Sequence, residues 1–310
     1  MSAISAKAQF PDEQDADGSF KRQSDAFRHW INRDPELPAA SGRYHLYVSL
    51  ACPWAHRIIL MRLFKRLEPV IGMSVVDPIR NDEDGWAFRP GRGHGVDPVN
   101  GFLFLREAYL ASDASYVGRV TVPVLWDTQT RRIVSNSDDD LLRILNHEFD
   151  AFGADQTIDF YPEPLRDEIE RLNEVIYQTV NNGVYLCGFA TSQSAYEAAV
   201  FPLFDTLDAM EERLRSQRFL FGDTLTETDI RFFVTLIRFD PVYHGHFKCN
   251  IRRIADYPNL KRFLADFYSL PGVAETVDFD HIKRHYYFTH DDINPSRIVP
   301  AGPVPLIPER

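Results

Sequence analysis

The 310-residue chain holds three cysteines, Cys52, Cys187 and Cys249. They are far apart and odd in number, which excludes a disulfide framework, and none has the paired spacing of a zinc site. Cys52 alone stands in a setting that suggests chemistry. In YVSLACPWAHR (47–57) it follows a β-prone apolar stretch and precedes a proline suited to the first turn of a helix. A thiol there faces unpaired N–H groups and the positive end of the helix dipole, which draw its pKa from about 8.5 toward neutrality or below. Ala55 occupies the place where a dithiol enzyme carries its second cysteine. No local Cys-x-x-Cys disulfide can form, so an external thiol must resolve any intermediate. A free cysteine is as commonly a buried, inert packing residue, and the local pattern weighs the two readings equally.

The elements that must hold this thiol can be read in order. YHLYVSLA (44–51) predicts a strand, PWAHRIILMRLFKRL a helix, and PVIGMSVVDP (69–78) a second strand. Residues 81–113, rich in Gly and Pro, predict an irregular insertion. RVTVPVLWD (119–127) and RRIVS (131–135) predict a hairpin around TQT, and SNSDDDLLRILNHEF a helix with small polar and acidic residues at its positive end. Strand, helix, strand, hairpin, helix is the order of a thioredoxin-like domain, here 41–150. Pro123 then decides between the readings of Cys52. A proline in a strand-like run removes a ladder donor, and X–Pro bonds are cis in only about 5–6% of cases. In a thioredoxin-like fold, however, a proline before the third strand faces the active cysteine, and a cis bond there exposes the Val122 backbone to a bound thiol.

Beyond Asp150 the pattern is helical. Leu165, Ile169, Leu172, Ile176 and Val180 recur at three- and four-residue spacing, as do Val200, Leu203, Leu207, Met210 and Leu214. LTETDI (225–230) carries a carboxylate variant of the capping box, Thr226 with Asp229, inside the staple Leu225/Ile230. The expected organisation is an arm (1–40), the thioredoxin-like domain, an all-helical domain (160–290) and a proline-rich tail (291–310). A net charge of −11 and no long apolar run argue against nucleic acid and membrane as partners, and no secretory signal is read at the start. A reducing cytoplasm is expected. His281 and His285, and His244 and His246, lack a third ligand at metal spacing, so no metal is expected. His56, Cys187 and Cys249 read as packing residues.

The chain resembles the glutathionyl-hydroquinone reductases, the xi class of the glutathione transferase superfamily. The resemblance runs nearly end to end, through DGSFKRQ, FRHWI, YHLYVSLACPWAHR, DPVNG, LREAYL, GRVTVPVLWD, NNGVYLCGFATSQSAYE, LTETDIRFFVTLIRFDPVYHGHFKCN, HIKRHYY and INPSRIVPAGP. It implies a thioredoxin-like domain followed by an all-α domain, a homodimer, and glutathione-dependent reduction of aromatic glutathionyl-hydroquinones to hydroquinones with release of glutathione disulfide. Cys52 would attack the thioether sulfur, and a second thiol would regenerate it from the mixed disulfide. Tyr185, Tyr243 and Tyr286 match the tyrosines that line the hydroquinone pocket. Trp86, Arg119 and the Val122–Pro123 backbone match the thiol site. Where the family usually reads Glu-Ser at the γ-glutamyl end, this chain reads Ser137-Asp138. Ser137 could bind a carboxylate or simply cap its helix, and Asp138 could accept from an amine. Three consecutive Asp would repel an anionic end, which leaves another low-molecular-weight thiol as an alternative to glutathione. A broader thioltransferase or dehydroascorbate reductase, or a non-catalytic ligand-binding protein, are the alternative functions.

Overall fold

The computed structural model describes residues 13–81 and 83–303. The first twelve residues of the expected arm, Asp82 and the last seven residues of the tail lie outside them. The chain forms two compact units: one holds Gln23–Asp159 with Thr276–His285, the other residues 13–22, Phe160–Glu275 and the chain from Tyr286 on. The arm is therefore divided at residue 22, and ten residues of the stretch 160–290 belong to the first unit.

The first unit is built on a four-stranded sheet of order β2-β1-β3-β4, from β1 (Tyr44–Val48), β2 (Gly72–Val75), β3 (Val124–Asp127) and β4 (Arg132–Ser135). β2 runs parallel to β1, and β3 runs antiparallel to both β1 and β4. All five residues of β1 are buried, as befits a strand paired on both edges. Opposite His45 stands Gly72, where any Cβ would lie 2.4 Å from the histidine ring. Only glycine leaves room for that ring, whose Nε2 pairs with Ser74 Oγ at 2.8 Å. Arg43 and Asp127 make a two-pronged buried ion pair at the end of the sheet, at 2.9 and 2.6 Å. Burial works to raise the Asp127 carboxyl, but Arg43, Gln129 N–H and Thr130 outweigh it and hold it below its usual value.

The parallel β1–β2 pair needs a crossover, and α1 (Pro53–Phe64) provides it, packing against α3 (Asp138–His147). Each strand is shorter than its apolar run. β1 stops at Val48, where Ser49 opens the turn that leads to Cys52, and β3 begins only after Pro123, which has no N–H to give a ladder. The expectation of an irregular 81–113 needs correction, since α2 (Arg106–Ser112) closes that segment. Seven residues without a side-chain N-cap give little periodicity to read. Burial of Leu105, Ala108 and Tyr109 fixes the helix instead.

The second unit contains α4 (Arg166–Ile176), α5 (Gly183–Phe189), α6 (Gln193–Arg213), α7 (Glu227–Arg238) and α8 (Pro258–Tyr268). π-helical turns at Tyr177–Asn181 and Phe239–Tyr243 follow α4 and α7. Val200, Leu203, Leu207, Met210 and Leu214 are buried along α6, and Ile169, Ile176 and Val180 along the preceding helical stretch. α7 is buried along its whole length and starts with the Thr226/Asp229 capping box. Residues 13–22 attach at the start of α6, where Ser192 caps the helix and its hydroxyl donates to Asp17 O. The last helix, α9 (Phe279–Thr289), is where the division between units falls, after His285.

Candidate active site

Cys52 is the N-cap of α1, with Pro53 at the first helical position. Its carbonyl accepts the His56 N–H at 3.0 Å, so the helix is already hydrogen-bonded at the cysteine. The half-buried thiol donates to Val122 O at 3.6 Å, and the Val122–Pro123 peptide bond is cis. The structure thus brings Cys52 to the Val122–Pro123 bond, although Val122 lies 70 positions further along the sequence. His56 is fully buried and pairs through Nε2 with Thr276 Oγ1 at 2.7 Å, a packing role rather than that of a base at the thiol.

Trp86 is almost wholly covered. Its ring stacks on His285 at 5.0 Å, the Arg80 guanidinium lies 5.9 Å from its centroid, and His285 is fixed by a 2.8 Å contact between Nδ1 and Pro78 O. Arg119 is half-buried in the stretch leading to Val122, and its carbonyl accepts from the Tyr116 hydroxyl at 2.6 Å. Ser137 is the N-cap of α3: its Oγ accepts from Asp140 N–H at 3.4 Å. Asp138 is engaged in an ion pair, with Oδ2 2.7 Å from Arg57 Nη1. Asp25 stands nearby. Asp25 is exposed as a residue, but the protein around its carboxyl displaces water there, and this with the Asp138 charge pushes it up to about 6, against a hydrogen bond from Ser137.

The second cluster lies in the helical unit. Tyr286 is the centre of a chain of phenols, its hydroxyl 2.7 Å from that of Tyr185 and 2.9 Å from that of Tyr243. Tyr243 and Tyr286 meet edge to face, and Phe247 packs on all three tyrosines. Gly188 makes this possible, because a Cβ there would lie 2.3 Å from the Phe247 ring. Burial, reinforced by the neighbouring phenols, pushes Tyr243 and Tyr286 well above their usual range, with Arg238 pulling the other way. Both hydroxyls therefore stay protonated and able to donate. Arg22 lies over the Tyr185 ring, 4.8 Å from its centroid, and its Nε donates to Asn182 Oδ1.

Sequence reasoning missed Arg57, Asp25, Arg22 and Phe247. A signal existed for Arg57, a charged residue set in the apolar run PWAHRIILM with no polar face to occupy. Asp25 and Arg22 come from the arm, whose docking no local pattern reveals. Among the described residues no group of three or more His, Cys, Asp or Glu could hold a metal ion. Cys187 and Cys249 are buried in the helical unit, and burial, with Cys187 beside it, pushes the Cys249 thiol well up.

Residues 193–266 match the glutathione S-transferase C-terminal domain family. The chain is 49% identical to glutathionyl-hydroquinone reductase PcpF of Sphingobium chlorophenolicum, over 96% of this chain and 94% of that protein. It superposes on the crystal structure of the xi glutathione transferase of Phanerochaete chrysosporium with a TM-score of 0.92 and 48% identity, covering 95% and 96% of the two chains. The chain belongs to the glutathionyl-hydroquinone reductases, the xi-class glutathione transferases. The glutathione-bound structure of YqjG from Escherichia coli is a further xi-class relative, at 51% identity and a TM-score of 0.87, over 90% of this chain and 93% of that one. The xi-class fold, a thioredoxin-like unit with an all-helical one, is thus shared across bacterial and fungal proteins. No described helix of this xi-class chain is long and apolar enough to cross a membrane.

Proposed function

We propose that the protein reduces glutathionyl-hydroquinones to hydroquinones at the expense of glutathione, with Cys52 as nucleophile. The observation that carries this reading is the Cys52 thiol at the N-terminus of α1, beside Val122 O and Pro123, with Ala55 in place of a second cysteine. The thiolate attacks the sulfur of the aryl thioether. An S–S bond forms between Cys52 and the glutathionyl group, the aryl C–S bond breaks, and its electron pair goes to the aryl carbon. That carbon takes a proton from the chain of neutral phenols Tyr185, Tyr286 and Tyr243, giving free hydroquinone. A second glutathione then attacks the mixed disulfide as its thiolate, its thiol proton replacing the one the phenols gave to carbon, and this releases glutathione disulfide and restores the Cys52 thiolate. The thiol is held by the Val122–Pro123 backbone, by Trp86 and Arg119, and by the Ser137 hydroxyl and the positive end of the α3 dipole, which suit a carboxylate. The enzyme works as a homodimer in the cytoplasm, in keeping with its three free cysteines.

The test is direct. Purified protein with excess glutathione should convert a glutathionyl-hydroquinone to equal amounts of hydroquinone and glutathione disulfide, and Cys52→Ala should abolish both products. Undiminished turnover by Cys52→Ala would refute the mechanism. Activity with a different low-molecular-weight thiol but none with glutathione would refute the cosubstrate.

A further inference from the structure

We propose that Asp138 is a positioning residue for the nucleophile's helix and not a ligand of the thiol: through Arg57 it fixes the Trp54 indole in the first turn of α1, two residues after Cys52. The inference rests on the reading of Cys52 as nucleophile. Arg57 is only 1% exposed, in a helix whose neighbouring Ile58, Ile59, Leu60 and Met61 are buried as well. A guanidinium so deeply placed needs a counter-charge. Asp138 supplies it at 2.7 Å, with the largely exposed Asp139 a more distant second at 3.8 Å. The same guanidinium lies 4.5 Å from the centroid of the Trp54 ring, within cation–π range. Since Asp138 is the first residue of α3 and α1 packs on α3, one carboxylate ties the two helix starts together.

This arrangement answers the question raised by Ser137-Asp138. A carboxylate oxygen already held at 2.7 Å by a buried guanidinium is a poor acceptor for an incoming ammonium, because turning to the ligand would give up that contact. Asp138 thus does not alter the class of thiol that binds, and glutathione remains the cosubstrate.

Two variants test this, Asp138→Asn and Arg57→Lys, the second keeping the charge while losing the planar group over the indole. Acrylamide quenching assigned to Trp54, as the difference from the same variant carrying Trp54→Phe, should rise about twofold or more in both, because an indole no longer covered by the guanidinium is open to the quencher. Glutathione affinity, measured by calorimetry with the Cys52→Ser background, should stay within about twofold of the parent. Unchanged quenching, or a loss of affinity of about tenfold or more in Asp138→Asn, would overturn the proposal. If Asp138→Asn does not fold, Arg57→Lys decides alone: raised quenching supports the proposal and unchanged quenching refutes it. Neither outcome depends on turnover, so the role of Cys52 is tested separately by Cys52→Ala.

Discussion

Tyr286→Phe isolates the acid half of the proposed reaction. Tyr286 is the middle member of the phenol chain, with hydroxyl contacts of 2.7 Å to Tyr185 and 2.9 Å to Tyr243, and all three side chains are buried. Removing its oxygen deletes two hydrogen bonds, each worth about 1 kcal/mol net. Tyr185 and Tyr243 each lose one hydroxyl contact, so the loss of stability should be about 2 kcal/mol. The kinetic cost is larger, because a positioned general acid contributes roughly 10²–10⁴ in rate. Single-turnover release of hydroquinone from the glutathionyl-hydroquinone, with no free glutathione present, should slow about 100-fold. The second half-reaction needs no proton at carbon. Resolution of a preformed Cys52–glutathione mixed disulfide by added glutathione should therefore proceed at the parental rate. Stopped-flow absorbance on the two half-reactions gives both numbers from one preparation, and urea titration gives the stability. Hydroquinone release within about threefold of the parent would refute the acid role of this chain. So would an equal slowing of both half-reactions, since that would mark Tyr286 as a packing residue for the whole site.

Two buried histidines make the fold sensitive to acid. Burial holds His45 and His246 neutral, lowering each from 6.5 to about 4, so the unfolded chain binds protons that the folded chain refuses. Their contribution to stability is intact above pH 6.5 and is lost as pH falls toward 4, reaching about 3 kcal/mol per histidine; urea unfolding at pH 7, 5.5 and 4.5 should show a steady loss that His246→Asn halves, and a flat profile over this range would contradict the assignment. Asp127→Asn leaves Arg43 buried without its counter-charge and should cost about 3–5 kcal/mol by thermal or urea unfolding at pH 7. The Asp127 carboxyl is held low, so its stabilisation is present above its ordinary value of 3.8 and is lost only as pH falls below it; a loss under about 1 kcal/mol at pH 7 would show the pair to be effectively solvated.

Much of the first unit could be read from the residues because each element is signalled locally. The run into Cys52, the proline after it and Pro123 each mark a boundary, and the structure places all three marks together at the thiol. The capping residues Ser137 and Thr226 were equally legible, since a cap depends only on neighbours within one turn. What escaped was set by tertiary burial. α2 is held by three buried side chains rather than by its own periodicity. Arg57 has no local reason to sit in an apolar helix, and its partner is 81 residues away. The motifs singled out Tyr185, Tyr243 and Tyr286, yet nothing in their spacing foretold that Tyr286 would stand between the other two.

The two clusters meet opposite electrostatic demands. A nucleophilic sulfur needs its anion favoured, and the first unit supplies fixed dipoles for this at the start of α1 without adding a neighbouring base: His56 is turned to Thr276 and Arg57 to Asp138. The acid of the proposed reaction needs its neutral form favoured, and in the second unit burial, with Tyr185 and Tyr243 beside it, keeps the Tyr286 phenol neutral. Asp138 belongs to the first of these tasks. Through its ion pair with Arg57 it ties the start of α3 to the helix whose N-cap is Cys52.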